Sequence, residues 1–460
     1  MEFDSNYGSR LPPVYYVQHH RAHAANAFFL SPFEDAAILT ADWRGEFESM
    51  TFAHGSGRSI KLLGSQKVPH SLGMFYATFT ELLGYRPDND EWKVMALSAF
   101  DVDCSDFIEK IRSTIHLGPN GKIELNQSYY QGALVDQPKL YTGKLKELLG
   151  GREGQPGELP NDWHFCVARA LQIVSEEIAL HYINHLYNIT DSSSLVLSGG
   201  FFMNSVFNGK VSSMSPFKKV YISYAPGDSG NSIGAALYTA HCILGESRQR
   251  QFNPSQIGPS FSNADILSAL QRRKISYRYI ENIEHTIATI LAQGDIIAVF
   301  NGPMEFGDRA LGNRSILGDP RHPKVKDKIN ASIKYREAYR PFAPATLYEV
   351  ADHYFDIPAG MEIPYMEKVV PVREKFRSLL PAITHVDGSG RLQTVREEHS
   401  PYFYKIISEF GELTGIPVVL NTSFNINGEP IVLAPDDALN TFFNSGLEYL
   451  ALGNYMVTKT

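Results

Sequence analysis

The amino-acid sequence predicts an α/β fold, and three observations support that prediction. Apolar runs of strand length occur at 35–42, 194–198 and 220–224. Each run leads into a turn that carries an acidic residue or glycine. Helical patterns separate the runs, most clearly at 163–186, where apolar residues form a broad stripe. Such alternation is typical of a sheet with a ligand cleft at the carboxyl ends of its strands.

Length and composition shifts predict two domains. The 460 residues exceed what one hydrophobic core usually holds. A polar stretch at 248–255 has no apolar period and is followed by turn-forming residues. We therefore predict a first domain over 1–250, a linker over 251–258 and a second domain over 259–460.

The remaining elements of the first domain follow in chain order. We expect strands of a meander at 50–55 and 61–64, then helices at 74–83 and from Glu91 onward. The region 117–160 is rich in glycine, proline, tyrosine and lysine. We interpret it as irregular surface or short strands that contact substrate, because loops carry variable binding residues.

Composition excludes several classes of protein. The formal net charge of −8 argues against general binding to a nucleic-acid backbone. The three cysteines, Cys104, Cys166 and Cys242, lie far apart without metal spacing, so we expect reduced thiols. No apolar run is long enough to cross a bilayer, and the N-terminus lacks a signal-peptide pattern. We therefore expect a cytoplasmic protein without membrane contact.

An alanine-rich segment at 18–29 predicts a helix that carries two histidines on one face. His19 and His23 stand four residues apart, so their imidazoles lie one turn above each other and can bind one metal ion. His20 occupies the position where zinc proteases have their glutamate base. The alternative is a partly buried helix with two hydrogen-bonded histidines, unless another ligand lies nearby.

Two acidic residues follow predicted strands and are candidates for that site. Asp42 ends the run at 35–42, where α/β folds tend to place reactive groups. The alternative is that Asp42 only caps the following turn. Asp228 lies in the glycine turn after the strand at 220–224 and is the candidate third ligand.

The second domain concentrates positive charge in an acidic protein. We expect helices at 263–274 and 283–293 and a buried strand at 295–300. Arginines and lysines then recur beside glycine, serine and asparagine at 301–321, 334–340 and several later positions. Guanidinium groups and glycine-turn amides bind phosphate, whereas the alternative, surface ion pairs, explains scattered arginines better than clustered ones.

Seven motifs in one order resemble the O-carbamoyltransferases of the nodulation-factor and antibiotic-tailoring type, over nearly the whole chain. They are His-His-x-Ala-His-Ala at 19–24, Leu-Ser-Gly-Gly with a following asparagine at 197–204, Gly-Asp-x-Gly at 227–230, Met-Glu-Phe-Gly-x-Arg-Ala-Leu-Gly-Asn-Arg-Ser at 304–315, Arg-Pro-Phe-Ala-Pro at 340–344, Thr-His-Val-Asp-Gly-Ser at 384–389 and Asn-Thr-Ser-Phe-Asn at 421–425. So many long motifs in one order make a chance match very unlikely.

The resemblance implies a fold and a reaction. The first domain would have the actin/sugar-kinase (ASKHA) fold of the tRNA threonylcarbamoyl transferases, and the second a YrdC-like α/β fold. The second domain would make carbamoyl adenylate from carbamoyl phosphate and ATP with Mg²⁺. The first would transfer the carbamoyl group to a hydroxyl of a small molecule such as a sugar or natural product, using iron-type Fe²⁺, or Mn²⁺ or Zn²⁺. A homodimer is compatible with the resemblance.

The resemblance also implies roles for individual residues. Asp42 looks like the acid near the acceptor hydroxyl, with His20 as a helper beside the metal. The implied metal ligands are His19, His23 and Asp228. The implied adenylate contacts are Gly199, Gly200 and Asn204. The implied ATP and carbamoyl phosphate contacts are Arg309, Lys334, Arg340, Arg391, Ser423 and Asn425.

Some features depart from the family pattern. Only eighteen residues precede His19, so we expect the actin-like half to be incomplete at its start or complemented by a partner. Trp43 and Asn89 replace residues that are usually glycine and put bulk near the transfer site. Two alternatives stay open, a tRNA threonylcarbamoyl transferase and a non-catalytic nucleotide-binding protein; the net charge of −8 counts against the first.

Overall fold

The computed structural model contains two large sheets and a small hairpin. One sheet has five strands, the other has nine, and the hairpin has two. The structure describes residues 13–132, 138–248, 255–334, 337, 339–340 and 342–459.

The five-stranded sheet is built in the order β3-β2-β1-β6-β7, and the hairpin pairs β4 with β5. β1, β6 and β7 are parallel, whereas β2 and β3 extend the sheet as an antiparallel meander. The strands are β1 (Asp35–Ala41), β2 (Glu48–Ser56), β3 (Ser59–Lys67), β4 (Ile115–Leu117), β5 (Ile123–Leu125), β6 (Ser194–Ser198) and β7 (Lys219–Ile222).

Helices cover both faces of this sheet. The helices are α1 (His19–Leu30), α2 (Leu72–Leu82), α3 (Glu91–Leu97), α4 (Ser105–Arg112), α5 (Gly143–Leu148), α6 (Asp162–Asn188), α7 (Ser205–Met214) and α8 (Asn231–Tyr238). Short 3₁₀ turns cover Gly200–Met203 and Asp228–Gly230, and a π-helical turn covers Thr239–Ile243.

The alternation of side chains along β1 explains the three layers. Ala37 and Leu39 point into a core formed with α2, α3 and α6. Ala36 and Ile38 point the other way, into a core formed with α1 and α8. Because both faces are apolar, β1 is a fully buried strand and delivers Asp42 to the edge of the sheet from a rigid element.

The nine-stranded sheet is mixed, in the order β12-β13-β11-β14-β10-β9-β15-β16-β8. Its strands are β8 (Arg278–Tyr279), β9 (Ile297–Phe300), β10 (Arg314–Gly318), β11 (Ala343–Leu347), β12 (Lys368–Pro371), β13 (Ser389–Val395), β14 (Val418–Ser423), β15 (Tyr449–Leu452) and β16 (Tyr455–Thr458). Only β9 with β15 and β11 with β13 pair in parallel.

Helices lie on both faces of the nine-stranded sheet as well. They are α9 (Asn263–Arg272), α10 (Ile283–Ala292), α11 (Pro323–Ile329), α12 (Ala351–Tyr354), α13 (Glu374–Arg377), α14 (Pro401–Thr414) and α15 (Pro435–Phe443), with a π-helical turn at Asn330–Lys334 and a 3₁₀ turn at Tyr348–Val350. Along β9, Ile297 and Val299 contact the α10–α14 side, and Ala298 and Phe300 contact the α9–α15 side.

The two sheets meet where α7 packs against β12. A Cβ atom at Gly209 would lie 1.8 Å from the carbonyl oxygen of Val369, so only glycine permits this approach. Asn208 Nδ2 donates a hydrogen bond to the carbonyl of Glu367 at 3.0 Å. The junction therefore fixes the first sheet's helices directly against the second sheet.

The observed helices and strands agree in part with the sequence-based predictions. The α/β content in two parts is confirmed. The region 117–160 contains the short strand β5 and irregular segments as expected, and also the helix α5, which the sequence analysis did not predict. Residues 133–137 and the first part of the predicted linker, 251–254, lie outside the described residues. Within the described part of the chain, no helix has the length and apolar character that crossing a membrane requires.

Candidate metal centre and adjoining cavities

Helix α1 presents His19 and His23 at its amino-terminal end. Arg248 holds the opposite end of the helix, where its guanidinium donates to the carbonyls of Phe28 at 2.7 Å and Phe29 at 3.0 Å and also to Ser31. The Phe28 carbonyl also accepts the backbone N–H of Ser31 at 3.2 Å, and the arginine adds a charged donor to the carbonyls that end the helix. The helix is therefore anchored at the end away from the histidines.

Four side chains from three segments converge beside α1: His19, His23, Asp42 and Asp228 each offer one ligand atom within 4.8 Å of the others. His23 Nε2 lies 2.8 Å from Asp42 Oδ2, 3.2 Å from Asp228 Oδ1 and 3.1 Å from His19 Nε2. His19 Nε2 lies 3.4 Å from both carboxylates. Two imidazoles and two carboxylates form a donor set that first-row divalent ions accept.

A hydrogen-bond chain leaves His23 ready to bind a cation. Ser198 Oγ donates to the carbonyl of Pro226 at 3.1 Å, so its oxygen accepts from His23 Nδ1 at 3.3 Å. Nδ1 therefore keeps its proton, and Nε2 is the nitrogen that faces the cluster and can bind a cation. A second partner that fixes the tautomer in this way is usual for metal-binding histidines.

The pKa values of His23 and Asp42 indicate that the cluster attracts positive charge. Burial alone lowers the pKa of His23, but hydrogen bonds to Asp228 and Asp42 outweigh it and raise the value. Burial alone would raise the pKa of Asp42, but hydrogen bonds from His19 and His23 hold it far below its usual range. Two carboxylates that draw a proton to a buried imidazole can equally hold a divalent ion.

The sequence predicts Asp42 as the acid near the acceptor hydroxyl, and in the structure its carboxylate lies within the four-residue cluster. Its Oδ2 faces His23, and its Oδ1 accepts the backbone N–H of Trp43 at 2.6 Å. A carboxylate with both oxygens engaged and a depressed pKa is a weak proton acceptor.

His20 contacts the scaffold rather than the cluster. Its Nε2 donates to the carbonyl of Glu48 at 2.9 Å, and its Nδ1 accepts from Thr40 Oγ1 at 2.7 Å. Burial lowers the pKa of His20 to about 4, so the ring is neutral at ordinary pH. With both nitrogens engaged, His20 positions α1 on β1 and β2.

Glycines allow the three segments to come together. A Cβ atom would lie 1.9 Å from the carbonyl of Ala22 at Gly234, and 2.1 Å from that of Ala225 at Gly230. Gly199 has φ +103°, and a Cβ atom there would lie 2.1 Å from the carbonyl oxygen of Ala41. These positions explain the glycine-rich motifs as sites of close backbone approach.

A cavity of 210 Å³ opens beside the cluster. Two of its walls are the indoles of Trp43 and Trp92, and Asp88 and Glu91 add carboxylates. Burial raises the pKa values of both Asp88 and Glu91. The sequence-predicted residues Asp42, Gly200, Asn204 and Arg309 also line this cavity.

Gly199 and Asn204 are tied into the scaffold as well. Gly199 donates its N–H to the carbonyl of Pro226 at 2.7 Å. Asn204 Oδ1 accepts from the backbone N–H of Phe207 at 3.1 Å and caps α7, and its Nδ2 donates to Gln172 at 2.9 Å. Their hydrogen bonds therefore fix the segment that carries Gly200 and Asn204 along the cavity wall.

A second cavity of 320 Å³ adjoins the first and lies between the two sheets. The two cavities share Trp92, Met95 and Arg309. The second is also lined by the sequence-predicted residues Arg340, Arg391 and Ser423. Four of the six residues predicted for ATP and carbamoyl phosphate thus face one space, although they come from distant parts of the chain.

Lys334 and Asn425 form a polar group directly behind Ser423. Lys334 Nζ donates to Asn425 Oδ1 at 2.6 Å and to Ser423 Oγ at 3.1 Å. Lys334 ends the π-helical turn at Asn330–Lys334, an irregularity that often marks functional sites. The six predicted residues therefore belong to one region of the structure.

Two arginines of this region are poorly solvated. Burial lowers the pKa values of Arg309 and Arg340. Arg340 stacks 3.7 Å from the Trp92 ring, and Arg309 Nη1 donates to the carbonyl of Asp308 at 3.1 Å. Within the described ranges, no carboxylate forms an ion pair with Arg309, so an anionic ligand is the natural counter-charge.

Two other charged residues of the motif at 304–315 build the loop itself. The Glu305 carboxylate accepts the backbone N–H groups of Leu311 at 2.9 Å and Asn313 at 2.7 Å. Arg314 is fully buried, donates to the Asn301 carbonyl at 2.7 Å and stacks 3.6 Å from the Phe300 ring. These bonds hold the loop that presents Arg309.

Sequence reasoning missed residues whose role depends on tertiary contacts. Trp92 joins both cavities, Glu91 lines the first, and Asn231 lies 3.2 Å from His23 Nε2 through its Nδ2. Only Asn231 had a local signal, because it stands three residues after Asp228 at the start of a helix.

The fold and site define a two-part α/β protein with a metal-ligating cluster beside a cationic cavity. Residues 6–237 match the family model Carbamoyltransferase N-terminus, and residues 288–459 match Carbamoyltransferase C-terminus. The chain belongs to the carbamoyltransferase family. The family and enzyme class predicted from the sequence are thereby confirmed.

Three relatives support the family assignment. The nodulation protein NolNO of Sinorhizobium fredii is 36% identical over 98% of this chain and 65% of its own length. NolO of Bradyrhizobium diazoefficiens is 36% identical over 96% of this chain and 79% of its own length. The 3'-hydroxymethylcephem-O-carbamoyltransferase of Amycolatopsis lactamdurans is 28% identical over 95% of this chain and 79% of its own length.

Proposed function

We propose that this chain is an ATP-dependent O-carbamoyltransferase that activates a carbamoyl group in one cavity and transfers it in the next. The observation that carries the proposal is the pair of adjoining cavities, one beside the four-ligand cluster and the other rich in arginine, with Arg309 in both. The relative named as a cephem O-carbamoyltransferase supports an alcohol as acceptor.

Activation belongs to the cationic cavity in this proposal. Carbamoyl phosphate yields its phosphoryl group to water, and the carbamate oxygen attacks the α-phosphorus of ATP. Pyrophosphate leaves, and carbamoyl adenylate remains. Arg309, Arg340 and Arg391 line the cavity and offset the phosphate charge, with Mg²⁺ accompanying ATP. Lys334, Ser423 and Asn425 support the wall behind them.

Transfer belongs to the cavity beside the cluster. A divalent ion such as Fe²⁺, Mn²⁺ or Zn²⁺ held by His19, His23, Asp42 and Asp228 would act as a Lewis acid on the carbamoyl carbonyl. The acceptor hydroxyl attacks that carbonyl, and AMP leaves. Gly199, Gly200 and Asn204 shape the wall against which the adenylate lies.

The acceptor's proton needs a base other than Asp42 in this scheme. Glu91 lines the same cavity, and burial raises its pKa, which makes it a stronger base than a carboxylate of ordinary pKa. The indoles of Trp43 and Trp92 offer apolar faces to an acceptor of ring size. We assign the acceptor to this cavity and the proton to Glu91.

We also assign the first part of the chain, 1–250, to an ASKHA-type fold and the second, 259–460, to a YrdC-like fold, joined by a linker at 251–258. The three-layer arrangement around the five-stranded sheet and the separate mixed sheet support this division.

The test is mass spectrometry of reactions that contain ATP, carbamoyl phosphate, Mg²⁺ and a panel of hydroxylated acceptors. We expect one acceptor class to gain the mass of one carbamoyl group, with AMP and pyrophosphate formed in equal amounts. Matched reactions without ATP or without carbamoyl phosphate should give no product. Product on a tRNA but on no small molecule, or no AMP in any reaction, would contradict the proposal.

A further inference from the structure

The side chain of Asn231 lies beside the four candidate ligands, in an orientation that its hydrogen bonds only partly explain. Its Nδ2 is 3.2 Å from His23 Nε2 and 3.3 Å from Asp228 Oδ1. Its Oδ1 is buried and has no hydrogen-bond partner among the residues that the structure describes. A buried amide oxygen without a donor is unusual in a folded protein.

The spacing around His23 Nε2 is that of ligands sharing an ion. Two ligand atoms, each about 2.1 Å from a metal at an angle between square and tetrahedral, are separated by about 3.0–3.4 Å. His19 Nε2 at 3.1 Å, Asp228 Oδ1 at 3.2 Å and the Asn231 amide at 3.2 Å meet this condition, and Asp42 Oδ2 at 2.8 Å is slightly closer. The amide therefore occupies the position of a further ligand.

The identity of the inward-facing atom depends on the charge at the cluster. Without a cation, an NH₂ group can donate to Asp228. With a cation bound through the His23 Nε2 lone pair, an NH₂ group directed at the ion is repelled. Rotation of the amide by half a turn exchanges the two atoms without moving the backbone, and the oxygen then faces the ion.

We propose that Asn231 contributes its amide oxygen to the divalent metal, as a further ligand beside His19, His23, Asp42 and Asp228. This inference rests on the metal half of the proposed function. Asn231 is the first residue of α8, and Gly234 on the same helix packs directly against α1. The amide is thus held by the same contact that brings Asp228 to the histidines. An amide oxygen adds a hard ligand, which suits Mn²⁺ and Fe²⁺.

The test measures Mn²⁺ affinity by calorimetry on the full chain after removal of metal. We expect Asn231→Ala to weaken Mn²⁺ binding about 10- to 100-fold, the usual effect of losing a supporting group at a metal site. Asn231→Asp, which always presents an oxygen, should restore binding to within about threefold. Ser232→Ala, at the exposed next residue of α8, is the matched control and should bind like the parent.

Co²⁺ spectra give an independent readout. Loss of a ligand lowers the coordination number, so the visible absorption of the Asn231→Ala protein should strengthen relative to that of the parent. Thermal unfolding of the metal-free proteins should show that the variants fold alike.

Three results would overturn the inference, each in a distinct way. Asn231→Ala binding Mn²⁺ within twofold of the parent would show that the amide is not a ligand. Equal weakening in Asn231→Ala and Asn231→Asp would show that the amino group, not the oxygen, is what matters. A parent protein that binds neither Mn²⁺ nor Co²⁺ would instead overturn the metal half of the proposed function, and the inference with it.

Discussion

Individual residues at the site divide into those that face a ligand and those that hold them in place. Asp42 and Asp228 face the cluster, whereas Ser198 accepts a hydrogen bond from His23, and His20 holds α1 on β1 and β2 through Thr40 and Glu48. Arg309 faces both cavities, whereas Glu305 holds its loop. Substitutions in the two groups should therefore have different signatures.

Glu91 tests the assignment of the base. Glu91→Gln keeps the oxygen that accepts the N–H of Asp88 at 2.7 Å but cannot take a proton. Since general-base catalysis contributes about 10²–10⁴-fold, we expect transfer to fall at least about 100-fold while adenylate formation continues. The control is Asp90→Asn, because Asp90 pairs with Lys93 at 3.1 Å outside the cavity lining. An unchanged transfer rate in Glu91→Gln would assign the base elsewhere.

Glu305 should make stability depend on pH. Burial raises the pKa of Glu305, and the N–H groups of Asn313 and Leu311 offset it only in part. The folded protein therefore keeps a proton that the unfolded chain releases above about pH 4.3. Stability from this group is complete below that pH and is lost as the pH rises toward the folded value.

Gln imitates the protonated carboxyl and can accept both N–H groups. The difference in unfolding free energy, Glu305→Gln minus parent, should therefore increase from pH 4 to pH 7. Denaturant titrations at both pH values measure it. A difference that is constant across this range would show that the folded pKa is not raised.

At the scale of elements, the cluster depends on how closely α1 and α8 approach. Gly234 allows that contact, and Asn26 Nδ2 on α1 donates to the carbonyl of Ala225 at 2.6 Å in the segment that leads to Asp228. α1 and α8 belong to one core, so a change in the distance between them also changes the positions of the candidate ligands.

Gly234→Ala should disrupt this contact. Its Cβ would lie 1.9 Å from the carbonyl of Ala22, and such overpacking costs about 1–3 kcal/mol of unfolding free energy. Metal affinity should fall as well, because a displaced α8 would move the preceding turn, which holds Asp228, away from α1. Gly143→Ala is the control, since a Cβ there meets no atom within 4 Å and alanine favours the helix. Equal stability in both variants would contradict the packing argument.

Much of the fold and part of the candidate site could be predicted from the sequence, because local residue patterns determine them. Apolar runs located β1 and β6, alanine content located α1, and an amphipathic stripe located α6. The spacing of His19 and His23 predicted a shared face. The contact between Asp42 and His23 was missed because it depends on how the end of β1 approaches α1. The joining of the cavities by Trp92 was missed because Arg340, which stacks on it, lies in the other part of the chain.

At the scale of the whole molecule, the two parts act through one junction. Gly209 and Asn208 dock α7 on β12, and Lys93 lies 3.4 Å from Glu337 across the same boundary. The cavities meet at this boundary. In the proposed scheme, an adenylate made in the second cavity would therefore form next to the cavity where transfer takes place.

The separation of activities is the central claim, and ATP–pyrophosphate exchange measured beside carbamoyl transfer tests it most directly. We predict that Asp42→Asn loses transfer but retains exchange, and that Arg391→Ala loses both. Parent protein stripped of tightly bound metal and returned to Mg²⁺ should behave like Asp42→Asn, which controls for misfolding of the variant. Loss of exchange together with transfer, in both Asp42→Asn and the stripped parent, would contradict the account.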